Sequence, residues 1–321
     1  MQALSFPGYG RVEIIEIPRP SLRDPGDAIV LVTTAAIGPW DIERFLSVGE
    51  GAVIPGGEFA GIVVETGETV TTIELDDLVA NTVQHTTAEG RSSLFGSTTL
   101  PGGHAEYVRV PDADKTLTKI ADSGEERAVI AGGTIGLGVN AAALATSVSP
   151  QGTYAVVGCD PIGMTALIAL GNTVATDRLL AVEDHPARRT LASKYSNAAL
   201  SGTQSPTSHG FDVVIVGSTR EYPGFEAVAN LVKPDGRVIF AEPYGPDRVV
   251  EAGDEIPAGL TVSTASWPTN VEAKKIVIAL QIRRLDLTPL VSHVIPLDQA
   301  QDAYEAAAGP GPGVQKVLLK P

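Results

Sequence analysis

The stretch Tyr154-Ala-Val-Val-Gly158-Cys159-Asp160-Pro161-Ile162-Gly163 carries the most specific chemistry in this sequence. An apolar strand enters a helix through a turn, with glycine at the first and third positions of a dinucleotide fingerprint. Gly158 suits the tight turn and Gly163 lets the helix pack close to the strand, while the helix N-terminus offers amide donors to a pyrophosphate. At the middle position stands Asp160, which puts a negative charge where the backbone has to approach the phosphates. A carboxylate ~5 Å from one phosphate charge costs about 1 kcal/mol at water-like dielectric and roughly 3 at an effective dielectric near 20. Micromolar binding is worth about 8 kcal/mol, so such a charge weakens nucleotide binding without abolishing it. Asp160 has a second reading, as an N-terminal cap that accepts the helix's own amides, which would leave the turn vestigial.

Twenty residues past Gly163, Glu183 ends the next apolar run. An acidic group there accepts ribose hydroxyls and repels a 2′-phosphate, which favours NAD(H) over NADP(H). Arg188 and Arg189 follow within about a helical turn and can still pair with a phosphate; the other reading makes all of these solvated surface charges. Gly158, Asp160, Ile162, Gly163, Glu183, Arg188 and Gly217 form the candidate cofactor-binding set.

These residues need elements to position them. Residues 1–120 read as short apolar strands between Gly, Pro and Asp turns, among them Ala28 to Ala36, Ala60 to Glu65 and Ala105 to Val110. An Ala-rich pattern then predicts one long helix from Glu125 to Thr146. After it, strands at Tyr154 to Gly158, Leu179 to Glu183, Asp212 to Gly217, Arg237 to Ala241 and Leu260 to Ala265 alternate with helices starting near Ile162, His185 and Phe225. A further helix covers Asn270 to Arg284. Apolar strands alternating with helices imply an α/β, doubly wound parallel sheet covered on both faces. The expected organisation is a mostly-β domain over 1–120, a Rossmann-type dinucleotide-binding domain over 121–285, and a return segment over 286–321 that completes the first domain.

Bulk properties narrow the class. With 43% hydrophobic and 19% charged residues, the chain can build a large core. A net charge of −15 without a Lys/Arg cluster argues against nucleic acid and suits a small, weakly charged substrate. The single cysteine, Cys159, excludes an internal disulfide and any multi-thiolate metal site. No apolar run of membrane-spanning length and no leader-like start occur, so no membrane partner and a cytoplasmic location are expected.

Several motifs, in order along nearly the whole chain, resemble the medium-chain dehydrogenase/reductase superfamily. Pro55-Gly56-Gly57-Glu58-Phe59-Ala60-Gly61 is similar to the family's Pro-Gly-His-Glu-x-x-Gly stretch, and Asp76-Asp77-Leu78-Val79 to its Gly-Asp-x-Val turn. Gly102-Gly103-His104-Ala105-Glu106-Tyr107-Val108 resembles its Gly-Gly-x-Ala-Glu-Tyr strand. Leu231 to Val238 and Lys316-Val-Leu-Leu-Lys320-Pro resemble its fifth-strand entrance and closing strand. The resemblance implies a GroES-like domain around a Rossmann domain and a homodimer joined through the strand near Leu260 to Ala265. It also locates departures. The family's catalytic zinc ligands correspond to Gly38, Gly57 and Gly132 or Gly133, and its proton-relay hydroxyl and histidine to Trp40 and Glu43. The resemblance is therefore to zinc-free members such as quinone and enone reductases, and no zinc is expected, since glycine offers no side-chain donor.

In the cleft this implies, Asp41 and Glu58 flank the emptied metal place as an acid–base pair or as structural carboxylates. Trp40, with Gly38, Gly57 and Thr134, is read as lining the substrate pocket, with plain core packing as the other reading of Trp40. His85 ranks first for proton donation, followed by Tyr244, with Tyr107 and the strand residue His104 also in view. Cys159 reads as a small packed residue rather than a nucleophile. Two functions are carried forward: a zinc-independent NAD(P)H-dependent reductase of an activated C=C or C=O bond, or a dehydrogenase-like scaffold serving as a non-redox lyase, isomerase, cyclase or binding protein.

Overall fold

The structure is a computed structural model that describes residues 1–47, 53–120, 124–201, 210–217, 224–242, 256–282, 284–309 and 315–321. The chain divides into two compact units, Met1–Gly133 with Pro268–Pro321, and Thr134–Trp267.

The first unit contains strands β1 (Gln2–Gly8), β2 (Arg11–Glu16), β3 (Ala28–Ala36), β4 (Glu58–Thr66), β5 (Leu78–Asn81), β6 (Gln84–Thr86), β7 (Ser92–Leu94), β8 (Tyr107–Val110) and β9 (Leu117–Lys119). Helices α1 (Pro39–Phe45), α2 (Ala113–Thr116) and α3 (Glu125–Ala128) fall among and after these strands. The second unit holds α4 (Thr134–Val148), β10 (Tyr154–Val157), α5 (Pro161–Gly171), β11 (Leu179–Val182), α6 (Pro186–Ala192), β12 (Ala198–Leu200), β13 (Phe211–Val216), α7 (Phe225–Ala229), β14 (Val232–Phe240) and β15 (Thr261–Thr264). The chain returns to the first unit through α8 (Asn270–Gln281), β16 (Val291–Pro296), α9 (Ala300–Ala308) and β17 (Lys316–Lys320).

In the second unit the strands form a six-stranded sheet in the order β12-β11-β10-β13-β14-β15, parallel throughout. All four residues of β10 and of β11 are buried. That burial is why these strands read as continuous apolar runs rather than as alternating ones. Strand order reverses beside β10, so the turn after it opens at the switch point where ligands bind in open α/β sheets. The fold is the α/β class expected: a doubly wound parallel sheet with a mostly-β partner domain.

The first unit is built on a seven-stranded sheet in the order β16-β17-β3-β4-β5-β9, with β8 paired to β3. β17 comes from the end of the chain yet pairs antiparallel with β3, through Leu318 opposite Ala36 and Leu319 opposite Ala35. Its core joins Leu4, Phe6, Val30, Phe45, Phe59, Val79, Tyr304 and Leu319. Helix α8 packs here too, on β9 and α3, and Asn270 donates to the Leu117 carbonyl. The alternation of strands and helices had grouped that helix with the nucleotide-binding part.

One element departs from the sequence pattern. The single helix predicted over Glu125 to Thr146 is two helices, α3 and α4, separated at Val129 to Gly133. Gly132 bridges Thr82, and a Cβ on it would lie 2.1 Å from the Asn81 carbonyl oxygen. Strand-like pairing with a distant segment overrides local helix propensity there, and glycine is weak at resisting it. Among the described residues no helix is long and apolar enough to cross a membrane.

The Asp114 carboxylate ties the segment before β5 to α2. It accepts the backbone N–H and hydroxyl of both Thr71 and Thr72, at 2.7–2.9 Å. Although partial burial opposes ionisation, these four bonds dominate and hold its pKa at about 2, below the ordinary 3.8. A depressed carboxylate stabilises the fold above its unfolded pKa and loses that contribution as pH falls through the folded value. Asp114→Asn should therefore flatten the loss of stability between pH 3.8 and about 2. Urea melts across that window check this; an unchanged slope would contradict it.

Candidate functional site

The site grows from the start of α1. Gly38 precedes the helix, Pro39 fits its first turn because no amide is needed there, and Asp41 follows at the third helical position. Asp41 is fully buried and accepts the N–H of Gly38 and of Gly56, both at 2.9 Å. One carboxylate thus pins the helix start to the Pro55–Gly57 loop. Gly56 needs its glycine: its φ is +102°, and a Cβ would lie 2.5 Å from the His104 ring.

Trp40 is 4% exposed and fills the space in front of two of the glycines. A Cβ on Gly38 would lie 2.4 Å from Trp40 Cε2, and one on Gly57 would lie 2.2 Å from Trp40 Nε1. The third glycine points elsewhere, since a Cβ on Gly133 would lie 2.4 Å from Glu58 Oε1. Glu58 is itself buried, and its Oε2 accepts from Lys316 Nζ at 2.5 Å. Lys316 Nζ also sits 5.8 Å from the centroid of the Trp40 ring, within cation–π range. Four chain segments, at residues 38–41, 57–58, 133 and 316, therefore meet around one indole and one buried ion pair. Among the described residues no cluster of three or more His, Cys, Asp or Glu side chains has a metal-holding arrangement.

The other candidates of the first unit lie in separate networks. His85, on β6, pairs with Asp112 at 2.9 Å and is mostly buried; Asp112 adopts a left-handed conformation, φ +46°. Among the described contacts His85 shares no bond with Asp41, Glu58 or Trp40. His104 is fully buried: Tyr304 Oη lies 2.8 Å from its Nδ1 and the Ala36 carbonyl 3.3 Å from its Nε2. Burial is the main force holding its pKa below the usual value, with the nearby Asp41 charge opposing it. Tyr107 stacks under the Arg19 guanidinium. Tyr244 lies outside the described residues.

In the second unit the glycine-rich turn has the backbone geometry its sequence requires. Gly158 has φ +77°, and a Cβ on Gly163 would lie 1.9 Å from the Gly158 carbonyl oxygen. Gly217 packs against the same turn, 2.4 Å from that oxygen by the same measure. Asp160 caps α5, its Oδ1 accepting the Gly163 N–H at 2.9 Å. Glu183 is 3% exposed and also engaged. Its Oε2 accepts from Cys159 N–H at 2.7 Å, and its Oε1 from His185 N–H at 2.7 Å and Arg188 Nη2 at 3.1 Å. Burial first, then the Glu183 and Asp160 charges, push the Cys159 thiol well above its ordinary pKa, the opposite of a nucleophile's environment. Ile162 is buried in the first turn of α5, and Thr134 is buried at the start of α4.

Residues 24–122 match the alcohol dehydrogenase GroES-like domain. The fold is that of the medium-chain dehydrogenase/reductases. A zinc-type alcohol dehydrogenase B from Aspergillus flavus is 28% identical, over 100% of this chain and 81% of its own length. The alcohol dehydrogenase TADH from Thermus sp. ATN1 superposes with a TM-score of 0.84 at 24% identity, covering 100% of this chain and 99% of that one. The 2R,3R-butanediol dehydrogenase of Bacillus subtilis superposes with a TM-score of 0.82 at 21% identity, covering 100% of this chain and 99% of the other.

The structure places Gly38, Trp40, Asp41, Gly57 and Glu58 beside one another and adds Lys316, which the sequence pattern did not single out as a site residue. The available signal was a lysine at the head of the apolar run Val-Leu-Leu, where β17 had to be buried, against a carboxylate in the buried Gly57-Glu58-Phe59 stretch. The tight fit of Trp40 against Gly57 can be tested directly. Gly57→Ala should destabilise the protein by roughly 1–3 kcal/mol through overpacking, and Trp40→Ala should remove most of that penalty in the double variant. Chemical denaturation of the four proteins measures the coupling; additive losses would show that the two residues do not compete for the same space.

Proposed function

We propose that this chain is an oxidoreductase that uses a pyridine nucleotide, works without a catalytic zinc, and reduces an activated C=C or C=O bond in a small, largely uncharged organic substrate. The observation that carries this reading is the Trp40 indole lying across the side-chain directions of Gly38 and Gly57. The residues present do not fit a zinc ion: glycine has no donor, the space is filled, and Glu58 is held by Lys316. A site without a Lewis acid suits poorly the oxidation of a simple alcohol, whose proton the metal would loosen. It suits an acceptor that is already electron-poor, which the protein has to place and hydrogen-bond.

The glycine framework fits a dinucleotide. Backbone at Gly158, Ile162 and Gly163 would hold the pyrophosphate with Gly217 close beside it, and Glu183 with Arg188 would meet the adenosine ribose. When bound, the nicotinamide supplies hydride. The chain's own part is to wall the pocket with Trp40 and to keep the Gly38 and Gly56 backbone in place through Asp41. His85, oriented by Asp112, is the retained candidate for proton donation. The acidic Glu183 favours NAD(H) over NADP(H). Isothermal titration with NADH and NADPH tests the proposal: NADH is expected to bind more tightly, and failure of both to bind at millimolar concentration would remove it.

A specific observation favours a second reading, a scaffold without nicotinamide chemistry. Asp160 occupies the Gly163 amide and Glu183 the Cys159 amide, so the turn's own carboxylates already satisfy donors that a nucleotide would seek. Asp160→Gly should raise NADH affinity about tenfold, equivalent to ~1.4 kcal/mol. If affinity rises while reduction of quinone and enone test substrates stays absent in both proteins, the second reading stands.

A further inference from the structure

Helix α8 is apolar on two opposite faces. Ala273, Ile276 and Val277 are buried where the helix packs on β9 and α3. An amphipathic helix turns polar side chains outward from such a face, yet Val271, Ile278 and Ile282 are each more than half exposed. Their i, i+7 and i+11 spacing sets them in one stripe. Beside the stripe an open cavity of about 280 Å³ lies between α8 and the segments at residues 72–73 and 118–119. Ile73 and Val277 are its buried apolar base, and Ile278 belongs to both the cavity wall and the stripe. Two polar groups of the wall have hydrogens to give. Thr118 is buried, accepts from Asn270 Nδ2 at 3.1 Å and donates to no acceptor among the described residues. Lys274 is exposed and pairs with no carboxylate among the described residues. Lys119, by contrast, is held by Asp77 at 2.8 Å, and the Thr72 hydroxyl donates to Asp114.

We propose that this groove binds a medium-chain aliphatic carboxylate, its head on the Lys274 ammonium and the Thr118 hydroxyl and its chain over Ile73, Val277 and Ile278. The donors decide the head: an ammonium and a hydroxyl hydrogen call for an acceptor that carries negative charge. The base decides the tail, because aliphatic side chains offer no hydrogen bond and gain only from apolar surface taken out of water. The volume is just below the ~300–1,000 Å³ of pockets for drug-sized ligands, which suits one unbranched chain and leaves no room for a dinucleotide. A longer chain runs on across Ile278 and covers part of the exposed stripe. The groove lies wholly within the first unit and is independent of the reductase reading.

Isothermal titration of the full chain with octanoate tests this. Octanoate should bind, and hexanoate should bind roughly tenfold more weakly, the effect of two methylenes. Octanol, which has the tail without the charge, should also bind about tenfold more weakly, through loss of the hydrogen bonds to a charged group. Lys274→Glu should weaken octanoate by about tenfold or more, and Ile278→Ser should flatten the dependence on chain length. Lys275→Glu, at the neighbouring position outside the cavity, should change little. All three side chains are exposed, so none of these changes disturbs the core. No octanoate binding at millimolar concentration, octanol binding as tightly as octanoate, or equal losses in Lys274→Glu and Lys275→Glu overturns the proposal. So does a dimer in sedimentation that Ile278→Ser splits and octanoate leaves intact, because a second copy of the chain then occupies the groove.

Discussion

A carboxylate and an ammonium in contact away from water hold each other in place, because neither can be left there alone. Glu58 and Lys316 are such a pair, both almost completely buried and 2.5 Å apart. Removing one partner of a pair at this depth costs roughly 3–5 kcal/mol in proteins generally, whereas replacing both by apolar groups often costs nothing. The pair is therefore weak as a source of stability and strong as a constraint on geometry. It fixes the start of β17 against the start of β4. Through the stacking distance to Trp40 it also fixes the indole that closes off Gly38 and Gly57.

The glycines and the tryptophan form one packing unit. With Trp40 in this rotamer, Gly38 and Gly57 cannot bear even a methyl group without displacing the ring. The small glycines and the large aromatic are complementary in volume, as close-packed interiors demand. Asp41 acts at the edge of this unit, where its two amide bonds set the backbone on which both glycines sit.

Much of the fold was legible because its signals are local. The apolar runs at Ala28 to Ala36, Leu179 to Glu183 and Asp212 to Gly217 match β3, β11 and β13 to within one residue at each end. The break between α3 and α4 was not legible, because it depends on a bridge from Gly132 to Thr82 that no nearby residue announces. The site divides in the same way. The glycines at positions 38, 57 and 133 can be read directly, and a capping carboxylate at Asp160 was one of two readings its residue type allows. The counter-charge of Glu58 comes from far along the chain, and a lysine at the head of an apolar run looks like a surface residue until its partner is known.

The hydrogen bond between Tyr304 and His104 joins residues about two hundred positions apart, and the β3–β17 pairing spans still more. The first unit is thus sewn shut by the last segment of the chain, while Thr134–Trp267 is continuous. On a ribosome the continuous unit has its whole sheet available early. The β-rich unit must wait, with β3 lacking a neighbour and Glu58 lacking its counter-charge, until β17 emerges. Long-range closure of this kind is slow and leaves unpaired edges exposed meanwhile. Translation speed and chaperone access in that interval bear on the yield of native protein.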